Sequence, residues 1–220
     1  MFLINIKTLP VHIHIKSFVF LFMTALIPLH AIGQDSVYTI KVHFLYGSKP
    51  KKEFKDSERK WFGGKLGGHV GIEYEPDQIV DFVRRGEFHW FAKKNKPHSR
   101  YALRSTTAFW GIFGSPAESV KKASVIIPIT RKEKIKLDSL VKTYSAQTPY
   151  DYAFFGMRCG SATYDILSQL GVVTPYSYRK TYRKIFYPKK LRKRLFAKAE
   201  INKWKIHTVE GTSTRKWERD

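Results

Sequence analysis

From Tyr38 to Phe44, apolar side chains alternate with Thr39, Lys41 and His43. That period of two marks a strand with one buried face, expected over residues 37–45. A lysine-rich polar loop, 47–60, follows. Gly63-Gly64 and Gly67-Gly68 then lead into Gly68-His69-Val70-Gly71-Ile72, which reads as a buried strand. The turn residues Glu75-Pro76-Asp77-Gln78 separate it from a further strand over 79–83. Residues 86–117 are rich in aromatics and carry no clear period, so loops with one or two short strands covering a cleft are expected there. Residues 125–129 read as a strand, placed at a sheet edge because Pro128 cannot donate to a ladder.

Helical spacing begins later. Thr130 followed three residues on by Glu133 is a capping box, and Ile135, Leu137, Leu140, Val141 and Tyr144 recur on one face. A second helix is expected from Cys159 through Ala162, Tyr164, Ile166, Leu167 and Leu170, stopped by Gly171. Beyond Pro175 the chain is basic and aromatic, with Leu191 and Leu195 marking a short amphipathic helix. No internal repeat is visible.

The N-terminus reads as an address. Lys7 and Lys16 precede an apolar run over 18–29, and Ala31-Ile32-Gly33 is a small-x-small site ahead of Gln34. This is the layout of a secretory signal peptide over residues 1–33, cleaved near Gly33. A membrane span needs ~20 unbroken apolar residues; this run is shorter, and Pro28 and His30 interrupt its end. No cysteine lies at the site to carry a lipid. The mature protein is expected to be exported, to a periplasm or the outside. Removing residues 1–33 from 220 leaves 187. That is enough for one core domain over 34–175 and a basic aromatic extension over 176–220.

Charge narrows the partners. The formal charge of +22 falls to +20 once Lys7 and Lys16 leave with the leader. Residues 179–198 alone hold ten Lys and Arg and no acid. Such a balance favours polyanions. Export makes nucleic acid an unexpected physiological partner and an anionic envelope surface, held by the basic tail, the expected one. The sequence does not fix an oligomeric state.

Cys159 is the sole cysteine, so it forms no internal disulfide. It is inert packing, half of an intermolecular bridge, or a nucleophile. A thiol at a helix head beside an imidazole gains thiolate character. Its own N–H would face a developing oxyanion, and the small residues Gly160, Ser161 and Ala162 leave room for a carbonyl. His69, ninety residues upstream on a strand, is the candidate base. His43 and His98 are expected at solvent or in loops, and His12, His14 and His30 leave with the leader. Asp151 is positioned to cap a turn or tie the loop before the Cys helix, and Tyr150 or Tyr152 to bring a hydroxyl near the thiol. No cofactor is implied, and no spacing of Cys and His suggests a metal site.

The Gly68-His69-Val70-Gly71-Ile72 run, then Pro149-Tyr150-Asp151-Tyr152-x-Phe154 and Cys159-Gly160-Ser161, resembles the circularly permuted NlpC-like hydrolases. These papain-fold proteins place the His strand before the Cys helix and include the YiiX-type and lecithin:retinol-acyltransferase-like groups. The match covers roughly residues 38–175 and is nearest the YiiX type. It implies an α+β, permuted papain-like domain in which an antiparallel sheet, His strand first, packs on the later Cys-bearing helix. It also implies a Cys159–His69 pair acting on amide, peptide, ester or thioester acyl groups. Two features depart from the pattern: Arg158 directly before the cysteine, and the basic tail after 176.

A base histidine needs a polar partner to orient it. In the resembling families that residue lies on the next strand, about a dozen positions on, which fits Asp81. Strand parity decides. If Tyr74 pairs with Ile79, Asp81 faces away from His69. If a bulge sets Tyr74 opposite Gln78, residue 69 meets 83 and Asp81 becomes a diagonal neighbour on the same face. Glu73 and His89 are the alternatives. Two functions are therefore in view. One is an exported cysteine hydrolase or acyltransferase taking a peptide, amide or acyl-lipid substrate. The other is a non-catalytic basic module binding anionic envelope polymers or lipids.

Overall fold

The computed structural model describes residues 38–58, 67–93 and 98–220. The expected leader, residue 37 of the first strand and the glycines at 63 and 64 lie outside the described residues. The strands are β1 (Tyr38–Leu45), β2 (Ser48–Pro50), β3 (His69–Glu75), β4 (Gln78–Arg84), β5 (His89–Phe91), β6 (Ser99–Arg104), β7 (Lys122–Ile129), β8 (Ala153–Phe155), β9 (Lys205–Val209) and β10 (Arg215–Trp217). The α-helices are α1 (Thr106–Trp110), α2 (Arg131–Ala146), α3 (Cys159–Gln169), α4 (Tyr178–Lys184) and α5 (Pro188–Asn202). The fold class is α+β. Six strands form one antiparallel sheet in the order β6-β4-β3-β1-β7-β9. β2 pairs with β10, and β5 runs parallel to β8.

The period-two pattern of β1 places Ile40, Val42 and Phe44 on one sheet face, where all three are fully buried. Val70 and Ile72 of β3 and Val80 and Phe82 of β4 continue that face. It packs in one core with Ile166 and Leu167 of α3, Leu137 of α2 and Leu191 and Leu195 of α5. Each such side chain contributes roughly 1.5–3 kcal/mol. The opposite face is covered by α1, whose Phe109 and Trp110 pack with Leu45 and Ile79. His43, expected at solvent or in a loop, is instead buried within β1, where the Trp110 ring meets it edge-on with centroids 4.9 Å apart.

Several elements differ from their expected settings. β7 is not an edge strand: it pairs with β1 on one side and β9 on the other. Pro128 is tolerated because β9 reaches only to Ile126, so the proline faces a ladder on the β1 side alone. The capping box forms as expected: Glu133 N–H donates to Thr130 Oγ1 at 3.3 Å, and Thr130 N–H to Glu133 Oε2 at 2.7 Å. Ile135 nevertheless points to solvent, and the buried stripe of α2 runs through Leu137 and Val141. Within the aperiodic stretch, α1 is a helix, capped by Ser105 Oγ accepting from Ala108 N–H at 3.2 Å.

The segment expected as an extension packs into the same body. The described residues, from 38 to 220, cluster as one compact unit, with Ile185, Leu191, Leu195 and Ala199 in the main core. Arg192, one of the ten basic residues of 179–198, is fully buried. Its Nη1 donates to Glu218 Oε1 at 2.8 Å and its Nε to Asp220 Oδ1 at 2.7 Å, so acids from the C-terminus neutralise it.

Candidate active site

Two element beginnings converge here: His69 opens β3 and Cys159 opens α3, which packs against β3 and β4. The entry to β3 is fixed by Gly68, at φ +59°, where a Cβ would lie 2.5 Å from the Leu45 carbonyl oxygen. A side chain there would displace the strand start and the histidine with it.

Register brings the carboxylate to the ring. Glu73 pairs with Ile79 but Glu75 pairs with Gln78, so one residue, Tyr74, bulges from β3. Beyond the bulge Gly71 pairs with Asp81, and the same register sets His69 opposite Val83. Asp81 is then the diagonal neighbour of His69 on the same face. His69 Nε2 donates to Asp81 Oδ2 at 2.7 Å, and Arg104 Nε donates to Asp81 Oδ1 at 3.0 Å. The charge at Cys159 also acts on the imidazole, which places the sulfur within electrostatic reach of the ring. Phe109 and Phe113 flank the ring, with centroids 5.6 and 6.4 Å away.

The groups are withdrawn from water: Cys159 is 5% exposed, His69 7% and Asp81 1%. Burial alone pulls the imidazole down. The Cys159 sulfur and the Asp81 carboxylate oppose this and push His69 up to about 10. An imidazolium at neutral pH follows from that balance.

At the head of α3, Arg158 N–H donates to Ser161 Oγ at 2.8 Å, and the Ser161 hydroxyl donates to Arg158 O at 3.0 Å. First-turn N–H groups, that of Cys159 among them, have no acceptor inside the helix, and they favour negative charge on the sulfur side. The Arg158 guanidinium lies 3.5 Å above the Phe186 ring centroid and donates to the Phe186 carbonyl. It therefore turns toward the α4–α5 connection. The space beside Gly160, expected to admit a substrate carbonyl, is filled: a Cβ there would meet Pro188 N at 3.1 Å and Cα at 3.2 Å. The start of α5 packs against the helix head at that point. A cleft of about 380 Å³ is lined by Ala92, Lys93, Thr148, Pro149, Tyr150, Asp151 and Tyr178; Cys159, His69 and Asp81 are not among its lining residues.

The alternative residues go elsewhere. Glu73 accepts from Lys41 Nζ and faces His43 Nε2, both at 2.6 Å, while His43 Nδ1 lies 2.7 Å from Ser124 Oγ. Burial lowers His43 against the pull of Glu73; it also works to raise Glu73, but the Lys41 and His43 hydrogen bonds hold that carboxyl below its usual range. His89 bonds Asp151 through Nδ1 instead of joining His69. Tyr150 donates its hydroxyl to Asp165 Oδ2 at 2.7 Å. Tyr152 stacks on Phe82 at 5.5 Å, and burial first, then the charge at Cys159, raises its phenol. Tyr152 is thus within electrostatic reach of the sulfur.

Sequence reasoning missed Arg104, because β6 fell in the aperiodic stretch and nothing local ties it to Asp81. No helix among the described residues is long and apolar enough to cross a membrane. Compared with known proteins, the chain matches no family model, no curated sequence and no solved structure.

Proposed function

We propose that this chain is an exported cysteine hydrolase or acyltransferase of the permuted papain-like kind, with Cys159 as nucleophile, His69 as acid–base group and Asp81 orienting the imidazole. The observation that carries the reading is the buried set Cys159, His69 and Asp81, with the ring held at 2.7 Å by the carboxylate and the sulfur within its electrostatic reach. In this reaction the thiolate attacks an acyl carbon, and the carbonyl electron pair moves to oxygen, facing the first N–H groups of α3. The imidazolium gives its proton to the departing amine or alkoxide, leaving a thioester and neutral His69. His69 then takes a proton from water or another acceptor hydroxyl as its oxygen attacks the thioester. Acid or transferred ester leaves, and the thiolate–imidazolium pair is restored.

Peptide, amide and acyl-lipid bonds of envelope material are the proposed substrates. Arg179, Lys180, Arg183 and Lys184 of α4 are exposed and would hold the enzyme on an anionic envelope surface. Burial of the sulfur favours a second reading, a non-catalytic basic module. The test is to profile the mature protein against peptide, amide and acyl-lipid substrates beside a Cys159→Ala variant. Turnover that vanishes in a folded variant with unchanged polyanion binding supports the hydrolase. Equal behaviour of the two proteins supports the module.

A further inference from the structure

The turn between β4 and β5 and the strand after it hold polar groups that the acyl chemistry leaves unused. The ring of His89 is 4% exposed, and its Nδ1 donates to the Asp151 carboxylate. That bond fixes a tautomer whose Nε2 presents a lone pair. Nε2 is buried and has no hydrogen-bond partner among the described residues, and the same is true of His98 Nδ1. The two rings lie 4.5 Å apart, tilted by 31°. Glu87 Oε2 is 3.8 Å from His89 Nε2 and 3.9 Å from His98 Nδ1, too long for hydrogen bonds. The three donor atoms lie within 4.8 Å of one another. Each orphaned buried atom costs about 1–3 kcal/mol. Two of them aimed at one carboxylate are the arrangement expected around a shared cation.

We propose that Glu87, His89 and His98 bind a divalent zinc ion. Two imidazoles and a carboxylate suit zinc at about 2.0–2.2 Å, with water completing the set. The Glu87 side chain is 75% exposed and free to close the remaining gap. Asp151 supplies the carboxylate behind a metal-bound histidine that fixes the ring and strengthens its lone pair. It also accepts from His98 N–H at 2.7 Å and Lys93 N–H at 3.0 Å. Zinc would fasten the β4–β5 turn, the start of β5 and the residue before β6 to Asp151, eight residues before Cys159. This site stands independently of the acyl-transfer reading.

The test uses tag-free mature protein stripped with a chelator, titrated with Zn²⁺ against a chromophoric competitor, with metal content measured after desalting. One zinc per chain is expected, with no binding of Mg²⁺. Asp151→Asn should weaken zinc by about 10–100-fold, and Glu87→Gln, at an exposed position that spares the fold, by at least as much. His98→Gln should abolish stoichiometric binding, and His43→Gln should leave it unchanged. Hydrogen exchange at the Lys93 and His98 amides should slow when zinc is added. Folded wild-type protein that takes up no stoichiometric zinc, or binds it equally well as Glu87→Gln, overturns the proposal. So does zinc weakened by His43→Gln instead.

Discussion

Replacing Asp81 by Asn keeps the shape of the side chain and removes its charge from the His69 ring. In the native protein that charge sits 2.7 Å from His69 Nε2, with Asp81 1% exposed. A hydrogen bond to a charged group contributes about 1.5–3 kcal/mol. At about 1.4 kcal/mol per pH unit, its loss lowers the midpoint of the His69 titration by about one to two pH units from the native value of about 10. The same free energy, felt as misorientation of the imidazole, slows acylation of Cys159 by roughly 10- to 150-fold. The assay is an NMR titration of the His69 ring protons in wild type and Asp81→Asn, with the alkylation rate of Cys159 measured alongside. Arg104, bonded to the other carboxylate oxygen at 3.0 Å, is part exposed, so water compensates its charge and the variant should fold. A His69 midpoint that stays at its native value in a folded variant refutes the coupling between ring and carboxylate.

Arg192→Met leaves Glu218 buried without its cation and should cost about 3–5 kcal/mol, a fall in melting temperature of roughly 6–20 °C by circular dichroism. Adding Glu218→Gln should recover part of it. Gly68→Ala puts a side chain at φ +59° against the Leu45 carbonyl and should cost at least about 1–2 kcal/mol; acylation of Cys159 should slow as well, since His69 is the next residue. The His69 value in the folded state, about 10, lies above the ordinary 6.5. Its contribution to stability is therefore complete below pH 6.5 and is lost as pH rises through 10. His69→Gln should flatten the alkaline decline of urea-unfolding free energy. Thr130→Ala removes one half of the α2 capping box and should lower stability by about 1 kcal/mol in the same assay.

What the sequence made legible follows from where the determining interactions lie. β1 was readable because one face meets the core and the other starts polar, and α2 because its cap is four residues long. The position of α3 followed from its apolar spacing and Gly171. The β3–β4 register was not decidable, since a single bulged residue at Tyr74 exchanges one face for the other. α1 escaped because five residues are too few to show a helical period, so Phe109 and Trp110 read as loop aromatics. β9 is exposed along its whole length and carries no alternation, so nothing announced that it would flank β7 and move that strand inside. At the site, the His and Cys candidates stood out by residue type. Arg104 on Asp81 and His89 on Asp151 depend on pairings across 23 and 62 residues, which no local pattern encodes.

The proposed nucleophile and its proposed base are tested together by incubating wild type, His69→Gln and Cys159→Ala, each folded, with an activated acyl ester and following adducts by intact mass and peptide mapping. The expected result is one acyl group on Cys159 of the wild type, none on Cys159→Ala, and formation slower by about a hundredfold or more in His69→Gln. Acylation confined to lysines, or a Cys159 adduct that forms as fast without His69 as with it, would contradict a catalytic pair.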